Sequence, residues 1–143
     1  MKQLLLLNGP NLNRLGKREP DIYGAETLAD LENSMKELVK SFGYGLDAFQ
    51  SNEEGKLIDY IHEADGQYEG IIFNAGAYTH TSIALRDAIS SVSVPVIEVH
   101  ISNVHQRESF RHHSMISPVC IGQIVGFGFK GYKLAALAFM EQD

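Results

Sequence analysis

Cysteine is nearly missing from this sequence, with Cys120 its sole representative. That excludes an internal disulfide and a zinc site built on cysteines. Cys120 sits in the apolar stretch Val119-Cys120-Ile121, where a buried, inert thiol is expected. Positive charge is also scarce. Twelve Lys and Arg face eighteen Asp and Glu, a formal net charge of −6, whereas nucleic-acid binders usually carry a basic face. Any anionic ligand must then be drawn in by a local basic site on an acidic body. No window approaches the roughly 20 apolar residues of a membrane span. The run Leu4-Leu5-Leu6-Leu7 is too short for the core of a signal peptide, and no small-residue cleavage site follows. A cytoplasmic protein without nucleic-acid or membrane partners is expected. Repeats, low-complexity segments and linkers are absent, so residues 1–143 read as a single domain.

What is present alternates between strand and helix. Residues 2–7 form a nearly all-apolar run, as expected of a strand buried on both faces. Thr27 reads as a helix N-cap, with Asp30 at the capping-box position. Leu28, Leu31, Met35, Leu38, Val39 and Phe42 follow at helical spacing, and Gly43 closes the helix. Residues 44–50 read as a second strand. Asn52 is placed to cap a second helix, with Leu57, Ile58 and Ile61 on its inner side. Gly70–Asn74 is a third strand, residues 81–91 a helix, and residues 95–99 a fourth strand. A polar stretch over residues 100–117 precedes a short fifth strand at 120–125 and a last helix over 129–140. This pattern predicts an α/β fold: a flavodoxin-like, doubly wound, five-stranded parallel sheet with strand order 2-1-3-4-5 and helices on both faces.

In such a sheet, ligands bind beyond the carboxyl ends of the strands. The polar residues there are Asn11, Arg18 and Tyr23 after the first strand, and Asn74 and His80 after the third. Glu98, His100 and Arg111 come from the fourth strand and beyond. Several familiar motifs are ruled out. Six residues separate Gly9 from Gly16 and Arg18 follows Lys17, so the phosphate-binding Walker pattern fails. Asn74 stands where a response regulator needs its phosphoacceptor Asp. The histidines show no convincing helical metal-ligand pair, and His62 and His105 are expected on solvated faces. A non-catalytic flavin- or nucleotide-binding module of flavodoxin type remains the alternative reading.

The chemistry of the cluster is coherent. A free tyrosine is protonated near neutral pH, but the Arg18 guanidinium favours the phenolate and cannot surrender its own proton. Tyr23 can thus act as a base, with Arg14 adding to the field. His100 is suited to general acid work. Glu98 lies two residues earlier on a strand, hence on the same face, where it would orient His100 and hold it protonated. Taken singly, Tyr23 reads rather as a packed loop tyrosine and Arg18 as a solvated charge; the other blocks turn the reading to catalysis. Asn11 also reads as a turn residue beside Pro10.

Four separated blocks carry a resemblance: Leu7-Asn8-Gly9-Pro10-Asn11-Leu12-Asn13; Arg18 with Tyr23-Gly24; Asn74-Ala75-Gly76-Ala77-Tyr78-Thr79-His80-Thr81-Ser82; and Glu98-Val99-His100-Ile101-Ser102-Asn103. In type and order they closely resemble the type II 3-dehydroquinate dehydratases, over essentially the whole chain. The resemblance implies a lyase of the shikimate pathway of aromatic amino acid biosynthesis. It would remove water from the small anionic substrate 3-dehydroquinate with anti stereochemistry, giving 3-dehydroshikimate through an enolate. No cofactor, metal or lysine Schiff base is implied. Tyr23 would be proton acceptor, His100 proton donor and Arg18 the transition-state stabiliser, with Glu98 and Asn11 assisting. Asn74, His80, Ile101, Ser102 and Arg111 would bind substrate. Asp87 would be supplied by a neighbouring subunit in a homododecamer built from trimers; its plainer reading is an exposed ion pair with Arg86. Residues 18–24 are expected to form a lid that closes over the substrate.

Overall fold

The computed structural model describes residues 1–17, 19, 21 and 24–141. Five parallel strands form one sheet: β1 (Gln3–Asn8), β2 (Gly45–Gln50), β3 (Gly70–Asn74), β4 (Val96–His100) and β5 (Gly122–Val125). Their order is β2-β1-β3-β4-β5, as the alternation of elements predicts. Among the described residues, four helices of eight or more residues complete the layers: α1 (Leu28–Ser41), α2 (Glu54–Ala64), α3 (Ile83–Ser90) and α4 (Phe129–Met140). Among the described residues, no helix is long and apolar enough to cross a membrane.

The leucine run of β1 explains the sandwich. Successive strand side chains point to opposite faces, and both faces here are covered. Leu4 and Leu6 join Leu31, Met35 and Val39 of α1 and Ala135, Ala136 and Phe139 of α4. Leu5 and Leu7 join Leu57 and Ile61 of α2 and Leu85 and Ile89 of α3. Burying each leucine contributes roughly 1.5–3 kcal/mol. A polar substitution anywhere in the run would therefore damage one core or the other.

Local signals set the helix ends. The Thr27 Oγ1 accepts from the Asp30 N–H at 3.1 Å, and the Asp30 carboxylate accepts from the Thr27 N–H at 2.9 Å. This reciprocal cap is worth about 1 kcal/mol. Helix α1 ends before Gly43, whose φ of +79° reverses the chain without Cβ strain. The expected cap of α2 is corrected. Glu53, not Asn52, is the cap residue, no side chain makes a cap bond there, and the Ser51 Oγ accepts from the Glu53 N–H at 3.0 Å just ahead of the helix. The Asn52 amide oxygen instead accepts from the Asn11 N–H at 3.0 Å. A competing partner on the first loop thus removes Asn52 from the cap. Cys120 is half-buried rather than buried, because it lies in the loop ahead of β5 rather than inside the strand. Burial still pushes its thiol up to about 12, with the Glu98 charge assisting. It is therefore a poor nucleophile.

Candidate active site

Four strands end in polar or charged chemistry at one edge of the sheet. In register, Asn8 of β1 lies beside Gln50 of β2 on one side and Asn74 of β3 on the other. Strand β4 ends at His100. Beyond this edge lies a cleft. Pro10, Asn11 and Leu12 come from the first loop; Asn74, Gly76, Ala77 and His80 from the segment after β3. His100, Ile101, Ser102, Val104, Arg107 and Arg111 complete it.

Two glycines bring the loop after β1 and the segment after β3 into contact. A Cβ on Gly9 would stand 2.5 Å from the Ala75 carbonyl oxygen. Gly76 has φ +60°, and a Cβ there would meet the Pro10 carbonyl oxygen at 2.9 Å. Only hydrogen side chains allow the two backbones to close this far. Beyond them Asn11 adopts a left-handed conformation, φ 69°, which asparagine tolerates better than most residues. Its N–H is tied to Asn52, and the Gln50 amide donates to both the Gly9 carbonyl and Asn52 at 3.1 Å. The Asn11 side chain is thereby left on the cleft wall.

Glu98 and His100 share a face of β4, as strand alternation requires, and their side chains meet. The His100 Nε2 lies 2.5 Å from the Glu98 Oε2. Glu98 is wholly buried. Burial alone would raise its carboxyl pKa, but His100, Gln123 and Ser114 all donate to it and together hold it below its ordinary value. The Gln123 amide reaches it at 3.0 Å from β5, and the Ser114 hydroxyl at 3.0 and 3.1 Å. An ionised Glu98 accepts the Nε2–H of His100, so Nδ1 is the ring nitrogen left for other chemistry.

His80 stacks near His100, ring centroids 6.2 Å apart. Its Nδ1 donates to the His113 carbonyl at 2.8 Å. Burial lowers its pKa, the His113 bond opposes this, and the His100 and Arg111 charges lower it further. The neutral ring thus keeps a lone pair on Nε2. Arg111 is braced by Glu108, which accepts its Nε–H at 2.9 Å. The Ile101 side chain packs into the α1/α4 core, so its backbone is what faces the cleft. Beside it, the Ser102 hydroxyl accepts from Arg107 at 3.3 Å.

Of the sequence-derived residues, Asn11, Asn74, His80, His100, Ile101, Ser102 and Arg111 come together in the cleft, with Glu98 beneath His100. Arg18 and Tyr23 lie outside the described residues, and with them the core of the expected lid over residues 18–24. Asp87 is exposed on α3 and does not line the cleft of its own chain. Its ion pair with Arg86 does not form; the Arg86 guanidinium instead reaches the Met115 carbonyl at 3.5 Å. Sequence reasoning missed Arg107, Ser114, Gln123 and Tyr132. Arg107 and Ser114 stood within a stretch already marked as polar, but Gln123 and Tyr132 carried no local signal. Among the described residues, no three His, Cys, Asp or Glu converge as metal ligands.

Comparison with known proteins agrees with this geometry. The sequence matches the family described as dehydroquinase class II over residues 2–140. It is 66% identical over 142 residues to a 3-dehydroquinate dehydratase of Bacillus cytotoxicus, covering 99% of this chain and 97% of that one. The crystal structure of type II dehydroquinase from Butyrivibrio crossotus superposes with a TM-score of 0.96 at 51% identity, covering 98% of each chain. The type II dehydroquinase from Propionibacterium acnes gives 0.92 at 44% identity, covering 95% of this chain and 94% of that one. Nothing in these similarities supports a non-catalytic flavin- or nucleotide-binding module.

Proposed function

The chain belongs to the class II dehydroquinase family, and we propose from this premise that it is a lyase of the shikimate pathway. It dehydrates 3-dehydroquinate to 3-dehydroshikimate in the anti sense, through an enolate and without a Schiff base. One observation carries the reading: a buried carboxylate holds the His100 imidazole at the floor of a cleft whose rim bears Arg107 and Arg111. That is an acid aimed into an anion-attracting pocket on an acidic protein.

The steps divide among named groups. The Tyr23 phenolate, favoured by the Arg18 guanidinium, takes the proton α to the ketone. Charge develops on the carbonyl oxygen, where Asn11 stabilises the enolate directly or through a water. His100, as imidazolium over the Glu98 carboxylate, delivers the Nδ1 proton to the departing hydroxyl. The base comes from the stretch after β1 and the acid from the end of β4, and they flank the ring on opposite faces, as anti elimination requires. Asn74, Ser102 and the Ile101 amide receive the substrate carboxylate, while His80 and Arg111 take ring hydroxyls. No lysine lines the cleft among the described residues, in keeping with a route that avoids an imine. Residues 18–24 act as the lid.

The exposed Asp87 supports a shared site in which it serves a neighbouring subunit, within trimers assembled into a dodecamer. The enzyme is a single catalytic domain and acts in the cytoplasm. Purified protein mixed with 3-dehydroquinate should generate the ultraviolet absorbance of a conjugated enone, and borohydride should trap no adduct. A flat absorbance trace overturns the activity; a trapped adduct overturns the route.

A further inference from the structure

Asn8 of β1 and Asn74 of β3 are partners on one rung of adjacent strands and point to the same face of the sheet. Tyr132 of α4 fills the space above them and is wholly buried. Its hydroxyl donates to the Asn8 Oδ1 at 2.7 Å and accepts from the Asn74 Nδ2 at 2.9 Å. Burial raises the phenol's pKa well above its ordinary value, so it stays protonated. The Asn74 Oδ1 is also committed, accepting the Gly76 N–H at 3.0 Å. With Oδ1 and one Nδ2 hydrogen taken, a single N–H of Asn74 remains, and Asn74 lines the cleft.

The arrangement is expensive for folding. The Asn8 Nδ2 is buried with no partner, and an orphaned buried donor destabilises a protein. An apolar side chain at position 8 and a phenylalanine at 132 would avoid that cost. Sequences break local rules of this kind chiefly where function demands it. Gly76 alone does not hold the amide, since one hydrogen bond leaves it free to swing about that contact. The second bond, from the opposite side, removes this freedom.

We propose that Tyr132 is a positioning residue for substrate binding: its hydroxyl fixes the direction in which Asn74 presents its remaining N–H to the substrate carboxylate. The inference rests on the reading of Asn74 as a carboxylate donor. Tyr132 touches no substrate; it acts through Asn74. The carboxylate is borne by the carbon that loses the hydroxyl, but it keeps its charge and both oxygens through the elimination, so the contact is made in ground and transition states alike and its loss appears chiefly in KM, with a smaller effect on kcat.

The test compares Tyr132→Phe, Asn74→Ala and the double variant, each checked for folding by circular dichroism. Tyr132→Phe should raise KM for 3-dehydroquinate about tenfold with kcat reduced less than threefold. Quinate and its methyl ester, used as competitive probes, separate aim from general loosening. The variant should weaken quinate about tenfold and the ester less than twofold. In the Asn74→Ala background, Tyr132→Phe should change KM less than twofold, because the residue it aims is gone. If Tyr132→Phe does not fold, Asn8→Ala, which frees the hydroxyl from its acceptor, should raise KM in the same direction. An unchanged KM in Tyr132→Phe beside a raised KM in Asn74→Ala overturns the inference alone. Equal weakening of acid and ester does the same. An unchanged KM in Asn74→Ala overturns the substrate role of Asn74 and the inference with it.

Discussion

The His100 Nε2 and the Glu98 Oε2 stand 2.5 Å apart, and Glu98 is the wholly buried member of the pair. A buried carboxylate is tolerated only when its oxygens are well supplied with donors. Here three side chains supply them, from β4, β5 and the segment after Arg111. Each donor is therefore a handle on the acid that this pair forms.

Replacing Glu98 with Gln removes the charge and keeps the shape. The variant no longer sets a carboxylate against the His100 Nε2, so the ring loses the partner that orients it, and kcat should fall roughly 10²–10⁴-fold. Steady-state kinetics on a variant with a native circular dichroism spectrum measures this. A loss under threefold would show that His100 acts without its carboxylate.

Removing a donor from Glu98 should show in stability against pH. Its carboxyl is depressed below 4.5, so the stabilisation is fully present above that value and disappears as pH falls through the depressed one. In Gln123→Leu the carboxyl moves back toward its ordinary value. The variant should be less stable than the parent at pH 7 by about 1 kcal/mol, and the two should converge in acid. Urea unfolding across the acid range reads both arms. A gap that persists undiminished in acid would assign the loss to packing instead.

The glycine contact between the first and third loops makes a steric prediction. In Gly9→Ala, the new methyl must displace the Ala75 carbonyl rather than a flexible side chain. A loss of about 1–3 kcal/mol in unfolding free energy is expected. The variant should also lose kcat/KM, because the Pro10–Asn11 wall retreats from the cleft. Native stability in this variant would mean that the two loops separate at little cost.

Tyr23→Phe removes only the atom that takes the proton. Turnover should fall roughly 10²–10⁴-fold while ligand affinity is retained, measured by calorimetry with quinate. Near-normal turnover would reject Tyr23 as the base. Arg18→Gln should lower kcat in the same direction, since the phenolate loses its stabilising charge.

Local and repeated signals were legible in the sequence. The four leucines of β1, the Thr27–Asp30 cap and the last helix at Phe129–Met140 were all readable, and the alternation of elements was enough for the sheet order. Asn52 was misread because a cap residue and a loop anchor look alike until the competing donor, Asn11, is placed in space. Most of the cleft was readable because strand ends in a parallel sheet converge by topology. Tyr132 was not. Its partners lie 58 and 124 residues away, and a tyrosine on an apolar helix reads as ordinary core. Gln123 was hidden the same way, since only the register of β5 beside β4 sets it opposite Glu98.

The shared rung of Asn8, Gln50 and Asn74 limits where this chain can change length. Deleting one residue inside β1 would turn every later side chain of that strand to the other face, moving Asn8 away from Tyr132 and carrying the Gly9 hinge with it. The turns that enter β2, β3 and β4 lie at the far margin of the sheet, remote from the cleft. Relatives should therefore differ in length at those turns, and a peptide tag or reporter spliced between Gly66 and Glu69 should leave catalysis intact.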